Sequence, residues 1–504
     1  MKAFLMYQNQ DHDVGGTDTS STESRALARD LDLDRLCSAM SDSDPYLQQA
    51  AKQILCRPLT SVEAIIYRQQ ILIDALEKPD TIRALFALAQ ETVDAEKKIY
   101  RSNFFDYPDA VLRRSIESLE LLIGMMRRLR TITDESIGKF SSPGFTRFFT
   151  MITSELDEGY FQLATAHLEE LRLRHGIMVS AGLGYANKGS HYTLRRAHPK
   201  ERNWVKRFHQ RAPESYSFEI NPRDESGARA LSDLHNQGVS LAAHALELAD
   251  NHILSFFTML RGELAFYIGC LNLRCALDAQ DAPICFPKPE RIGHDEMGAR
   301  GLYDLSLTLT GAQAVVGNDL DAYGKDLIMV TGANEGGKST FLRSLGLAVL
   351  MMQCGMFVCA HYFSSSVSTS VYTHYKREED AELNSGKLDE ELERMSGIVD
   401  ALTPHSLVLF NESFSATNER DGSAIARNII CALLEAHIRV VFVTHFFDLA
   451  HGFYERDRPD TLFLKAQREE GGKRTHRMVA GEPERTSYGS DLYDQVFGLA
   501  QSGA

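Results

Sequence analysis

Residues 332–339 read G-A-N-E-G-G-K-S, which satisfies the pattern G-x-x-x-x-G-K-[ST] at every fixed position. The flanks narrow what this run can fold into. Residues 326–331 (D-L-I-M-V-T) are apolar and β-branched and predict a short buried strand, while residues 340–353 carry apolar side chains at helical spacing. Strand, glycine-rich loop and helix, in that order, is an arrangement that cradles nucleotide phosphates. Backbone N–H groups from Gly332, Ala333, Asn334, Glu335, Gly336 and Gly337 would converge on phosphate oxygens, beside the positive dipole end of a helix opening with Lys338, Ser339 and Thr340. Lys338 would reach the β- and γ-phosphates of ATP, and the Ser339 hydroxyl would ligate Mg2+.

Such a site needs acidic groups from a second strand. Residues 406–410 (S-L-V-L-F) predict one, ending in Asn411-Glu412. Asn411 stands at the metal position, where an amide can hydrogen-bond the ion's waters but adds no negative charge, so magnesium should bind more weakly. Glu412 is placed to polarise the attacking water. A third strand, residues 439–444 (R-V-V-F-V-T), leads into His445, which would either sense the γ-phosphate or serve the fold.

Composition bounds the remainder. A chain of 504 residues predicts two or three domains, and 43% hydrophobic content fits a soluble globular protein. The longest apolar stretch, residues 256–277, is broken by Arg261, Glu263 and Arg274, which argues against a membrane span, and the amino terminus lacks a secretory pattern. Eight scattered cysteines, none in a CxxC pair, predict buried thiols in a reducing, cytoplasmic setting, with nucleoid association if the source is bacterial.

The net charge of −15 excludes a chain-wide nucleic-acid coat but allows a local basic groove. Residues 188–211 hold eight cations, among them Arg195, Arg196, Lys206 and Arg207, against the single acid Glu201, with Tyr192, Trp204 and Phe208 interleaved. Two readings fit this segment: a DNA contact combining phosphate neutralisation with base stacking, or a basic face that is solvated or docked on the acidic bulk.

Along the chain, residues 1–8 predict a short strand or arm, and residues 11–23, rich in Gly, Ser, Thr and Asp, a linker. Residues 24–173 repeat apolar side chains at helical spacing, as in Ile116, Leu119, Leu122, Ile123 and Met126. Glycine punctuation and alternation over about residues 177–222, including Y-S-F-E-I at 216–220, predict a small β-rich insert, and residues 229–277 one or two long helices. The expected division is an arm and linker at 1–23, a helical core and lever at 24–290 carrying the basic insert, and a nucleotide-binding α/β domain at 291–504.

Taken together, T-G-A-N-E-G-G-K-S-T-F-L-R, N-E-S-F-S-A-T-N-E-R-D-G and V-T-H-F-F-D-L resemble the ATPase domain of the MutS family of DNA mismatch-repair proteins. Val316-Gly317-Asn318-Asp319 resembles its V-P-N-D lead-in with glycine in place of proline, and Ser487-Tyr488-Gly489 its late S-Y-G element. Asn384 to Lys387, with Glu393 and Met395, resembles its nucleotide-coupling loop, and Pro58-Leu59, Ile65, Arg68-Gln69 and Leu76 its helical core. The resemblance implies a multidomain α+β protein whose helical core and lever precede an ABC-like α/β P-loop ATPase domain. It also implies a homodimer in which Thr417 and Asn418, on the signature loop, complete the partner's site.

Departures from the pattern are Asn411 for aspartate, Asn418 for the signature serine, and Phe414 and Ala416 for its glycines. The first 100 residues hold no Phe-x-Glu wedge, so the mismatch-reading region is expected to be missing, and the short stretch after S-Y-G leaves little room for dimerising helices. The function implied is a Mg-dependent ATPase that couples nucleotide state to DNA binding in repair or related DNA metabolism. A nucleotide-gated interaction switch with little hydrolysis and no mismatch recognition is the alternative, and an ATPase whose insert binds protein or RNA a third.

Overall fold

A computed structural model describes residues 1–10, 21–99, 107–174, 176–196, 219–311, 315–333, 335–377, 386–469 and 474–483. The protein is a multidomain α+β chain that divides into two compact units. One comprises Met1–Ala3, Arg83–Lys139 and Thr146–Arg261, the other Phe4–Ile82, Phe140–Phe145 and Gly262–Ala504.

Among the described residues, the regular structure of the first unit is helical apart from one hairpin. Its central helix Pro108–Ser136 buries Leu112, Ile116, Leu119, Leu122, Ile123, Met126 and Leu129 along one stripe, as the spacing predicts. Asp157 caps the next helix, Glu158–Leu171, by accepting from the Tyr160 N–H. Within the expected β-rich insert, the described residues form a two-stranded antiparallel hairpin of β1 (Met178–Leu183) and β2 (Gly189–Arg195), and residues 197–218 lie outside the described residues. Residues 219–220 are not in a strand, and the rest of the alternating run at 216–218 lies outside the described residues.

A single helix of 54 residues, Glu225–Asp278, follows. Part of it is long and apolar enough to cross a membrane, contrary to the sequence expectation, yet 72% of that part is buried inside the protein. Phe256, Phe257, Leu260, Leu264 and Phe266 are spent on the core.

Among the described residues, the second unit holds two sheets. The smaller has the order β3 (Lys288–Glu290), β7 (Tyr362–Ser366), β4 (Met297–Leu302), β5 (Asn318–Asp321). The larger runs β12 (Arg474–Ala480), β11 (Thr461–Arg468), β6 (Leu327–Thr331), β10 (Arg439–Val443), β9 (Leu407–Asn411), β8 (Val371–Tyr375). All its pairings are parallel except that of β11 with β12. β6, β9 and β10 are apolar almost throughout, as strands covered on both faces must be.

Residues 4–82 belong to this unit too, and the reason is specific bonding. Leu59 and Gln353 are joined through the Leu59 N–H to the Gln353 carbonyl at 2.8 Å and the Gln353 amide to the Leu59 carbonyl at 3.0 Å. Arg68 is fully buried; its guanidinium donates to the carbonyls of Met6 and Cys354 and lies over the rings of Tyr7 and Phe266. Residues 1–8 form an irregular arm with Leu5 and Met6 buried, not a strand. The expected linker ends sooner than its composition suggests: Ser21 caps a helix, Thr22–Asp30, by accepting from the Ser24 N–H, while residues 11–20 lie outside the described residues.

Candidate functional site

The parallel strands β6, β10 and β9 are neighbours, and their carboxyl ends are level: Val443 pairs with Val330 on one side and with Asn411 on the other. Everything that leaves those three ends therefore meets at one edge of the sheet, the usual ligand edge of an open α/β sheet. The glycine-rich loop leaves β6, Glu412 leaves β9 and His445 leaves β10.

The loop turns back tightly against β11. Gly332 sits at φ +115°, and a Cβ there would lie 2.9 Å from the Ala466 nitrogen, so only glycine fits. Lys338 opens the helix Lys338–Gln353 and is almost fully buried. Its ammonium donates to the carbonyls of Gly332 and Ala333, each at 2.9 Å. Burial pulls its pKa below the usual lysine range, and the Glu412 carboxylate acts in the opposite sense. Ser339 donates to the Asn411 amide oxygen at 2.9 Å, which brings together the two residues expected at a metal.

Glu335 is ion-paired with Arg474 of β12. A cleft of about 430 Å³ opens over the loop, lined by Glu335, Gly336, Gly337, Lys338, Ser339, Thr340 and Glu412. Asn334 lies outside the described residues, as do Ser487-Tyr488-Gly489 and Asn384-Ser385.

Glu412 has φ +53°, an uncommon conformation for a side chain with a Cβ and one that clusters at functional sites. Phe414, where the family pattern has glycine, keeps a positive φ of 62°. Its ring is fully buried and stacks on His374 at 5.2 Å, which offsets the roughly 1–2 kcal/mol cost of that backbone for an L-residue. His445 is exposed, packs edge-on against Phe446 at 4.8 Å and is not among the residues lining the cleft. Asn418 caps the helix Glu419–Glu435: its amide oxygen accepts from the Asp421 N–H at 3.0 Å and its NH2 donates to the Asp421 carboxylate at 2.7 Å. Thr417 precedes it, half-buried. Neither lines the cleft.

Sequence reasoning missed the opposite wall. Leu302, Leu307, Val315, Val316 and His476 line it together with Asn318. Asn318 joins β5 to β12, its amide oxygen accepting from the Met478 N–H at 2.7 Å and its NH2 reaching the His476 carbonyl at 3.4 Å. The V-P-N-D-like run was the available signal, since it places Asn318 there. At Gly317, the departure from proline, a Cβ would lie 3.0 Å from the Gly301 backbone. Nothing in the local pattern marks His476.

A buried histidine stands behind the carboxylate. His374 on β8 contacts the Ser413 hydroxyl through Nδ1 at 2.8 Å and donates through Nε2 to the Glu391 carbonyl at 3.0 Å. Burial, then the nearby Arg394, pushes its pKa from 6.5 down to about 4. The ring is thus neutral when folded and takes up a proton below pH 6.5 when unfolded. Its stabilising contribution is complete above pH 6.5 and shrinks as pH falls toward 4, by at most about 3 kcal/mol. Urea unfolding between pH 7 and 4.5 should therefore show a steeper stability loss in the parent than in His374→Gln; parallel curves would refute the shift.

The chain matches the family model of the MutS2 N-terminal domain over residues 60–280 and that of MutS domain V over residues 328–497. The chain belongs to the MutS family. A DNA mismatch repair protein MutS from Thermus thermophilus is 34% identical over 183 residues, 36% of this chain and 22% of that protein. An Endonuclease MutS2 from Lactiplantibacillus plantarum is 33% identical over 184 residues, covering 36% of this chain and 23% of that protein. The human MutS protein homolog 4 is 25% identical over 197 residues, 38% of this chain and 21% of its own length. The chain thus spans about a fifth of the length of these MutS-family relatives.

The hairpin holds two of the four expected DNA contacts. Arg195 is exposed and its Nε donates to Ser180 at 2.8 Å, and Arg196 is exposed and ion-paired with Glu170. Lys206 and Arg207 lie outside the described residues.

Proposed function

We propose that the protein is a magnesium-dependent P-loop ATPase that couples its nucleotide state to DNA binding. The observation that carries this reading is the convergence of Lys338, Ser339, Asn411 and Glu412 at one sheet edge. A buried cation, a hydroxyl bonded to an amide oxygen, and a carboxylate stand together over a glycine-rich loop. The loop amides and Lys338 hold the phosphate chain, and the apolar wall around Leu302, Val315 and Val316 receives the base. Ser339 and Asn411 fit a magnesium site, Ser339 as direct ligand and Asn411 through the ion's waters. Magnesium bound there would neutralise charge developing on the phosphate oxygens. Glu412 takes a proton from the attacking water as its oxygen bonds to the γ-phosphorus and the bridge to the β-phosphate breaks. DNA enters this reading from the basic hairpin and from the relatives that are named DNA mismatch repair proteins.

The Ser339–Asn411 bond also supplies the test. An aspartate at position 411 would add the missing negative charge beside the ion. Asn411→Asp should lower the magnesium concentration for half-maximal phosphate release at least threefold. Phosphate release that is insensitive to both magnesium and this substitution would sink the reading.

A second reading, a nucleotide-gated switch with little hydrolysis, is favoured by Asn418, whose amide is consumed in capping its own helix. Tight ATP binding with background phosphate release and an ATP-dependent monomer–dimer shift would select it.

A further inference from the structure

The hairpin ends in two apolar side chains with no role in its own packing. Tyr185 is 97% exposed and Leu183 82% exposed. Folding gives no reason for an aromatic and a leucine side by side in water at a loop tip. The tip is nonetheless built: the Gly184 N–H donates to the Lys188 carbonyl at 2.7 Å and the Lys188 N–H to that of Tyr185 at 3.2 Å, closing a tight turn. The base of the hairpin is held as well. Val179 packs so closely on the long helix that a Cβ at Gly238 would lie 2.8 Å from it. A ring on a closed turn above an anchored base loses little freedom when something stacks on it.

Charge identifies the occupant. Residues 176–196 contain Lys188, Arg195 and Arg196 and no carboxylate, in a chain whose net charge is −15. Lys188 sits at the tip and Arg195 on β2, both exposed. Apolar side chains at the tip beside Lys188, with Arg195 at the far end of the same hairpin opposite Met178, suit a polyanion that also offers flat apolar faces, which is a nucleic acid with unstacked bases.

We propose that the hairpin tip is a wedge for single-stranded or branched DNA, with Tyr185 stacking on an unpaired base, Leu183 filling the gap beside it, Lys188 on an adjacent phosphate, and Arg195, at the base of the hairpin, on the DNA backbone further along. This extends the DNA part of the function proposed above and does not depend on ATP hydrolysis.

The full chain is mixed with a forked duplex carrying 2-aminopurine at the first unpaired position, and with a blunt duplex of the same sequence. The parent should change the 2-aminopurine emission on binding. Tyr185→Ala should abolish that change and weaken fork binding at least fivefold, the lower end expected for loss of one stacked base. Leu183→Ala should weaken it less, and blunt-duplex affinity should move under twofold in both. Both side chains are exposed, so neither variant should alter the circular dichroism or the ATP turnover without DNA. Arg195→Glu should weaken fork and duplex alike. Equal loss on fork and duplex in Tyr185→Ala, or no loss on either, overturns the wedge. DNA binding absent from the parent, with ATP turnover intact, overturns the wedge and leaves the ATPase standing. A tyrosine-dependent fork signal in a protein that binds no ATP would uphold the wedge and overturn the ATPase.

Discussion

Glu412→Gln is expected to leave ATP binding within a factor of two of the parent and to lower steady-state phosphate release at least a hundredfold. The amide keeps the shape of the carboxylate and still hydrogen-bonds a water, but it cannot accept that water's proton, and a positioned general base contributes about 10²–10⁴ in rate. Among the described residues, Glu412 is the one carboxylate at the cleft that leaves a strand end beside Ser339 and Asn411. The other two acids there are engaged elsewhere: Glu335 with Arg474, and Asp304 with Arg343 at 2.8 Å and with the Leu307 N–H. Backbone strain at Glu412 gives a second reason for its identity, since φ +53° aims the side chain off the regular course of the strand. Isothermal titration with ATP alongside phosphate release separates the two effects. Unchanged turnover would remove Glu412 from the chemistry.

Lys338→Met is expected to weaken ATP binding on the order of a hundredfold, because a charge-assisted hydrogen bond to phosphate is worth about 1.5–3 kcal/mol. Methionine keeps much of the buried stem, so the comparison isolates the ammonium. The same substitution leaves the Gly332 and Ala333 carbonyls without the donor that joins them at 2.9 Å. Part of the loss therefore comes from a loosened loop, and Lys338→Arg should not rescue it, since a planar guanidinium does not match that pair of acceptors. Calorimetry showing parental affinity in Lys338→Met would mean that the phosphates lie elsewhere.

Much of this arrangement is legible in the order of residues along the chain, because it is built from local pieces. The loop, the strand ending in Asn411-Glu412 and the strand before His445 each carry their own pattern. Parallel pairing of β6, β10 and β9 then brings the three ends together. Pairings between distant residues carry no such pattern. Spacing reads residues 24–173 as helical, but not that Leu59 would pair with Gln353. His476 lies on an edge strand of unremarkable composition and reaches the cleft because Asn318 joins that strand to β5. At Phe414, which stands where the family pattern has glycine, the left-handed backbone persists and the ring finds a buried histidine to stack on.

The buried guanidinium of Arg68 bears on where this polypeptide tolerates cutting. Composition at residues 11–20 invites a shortened clone starting near residue 21. Such a clone would strip the Met6 carbonyl from Arg68 and the Leu5 and Met6 N–H donors from the equally buried Glu263. Each buried charge would lose hydrogen bonds that this interior supplies, at a cost of about 1–3 kcal/mol apiece. Residues 1–7 are a structural strut, so trimming that removes them should loosen the interior around Arg68 and Glu263.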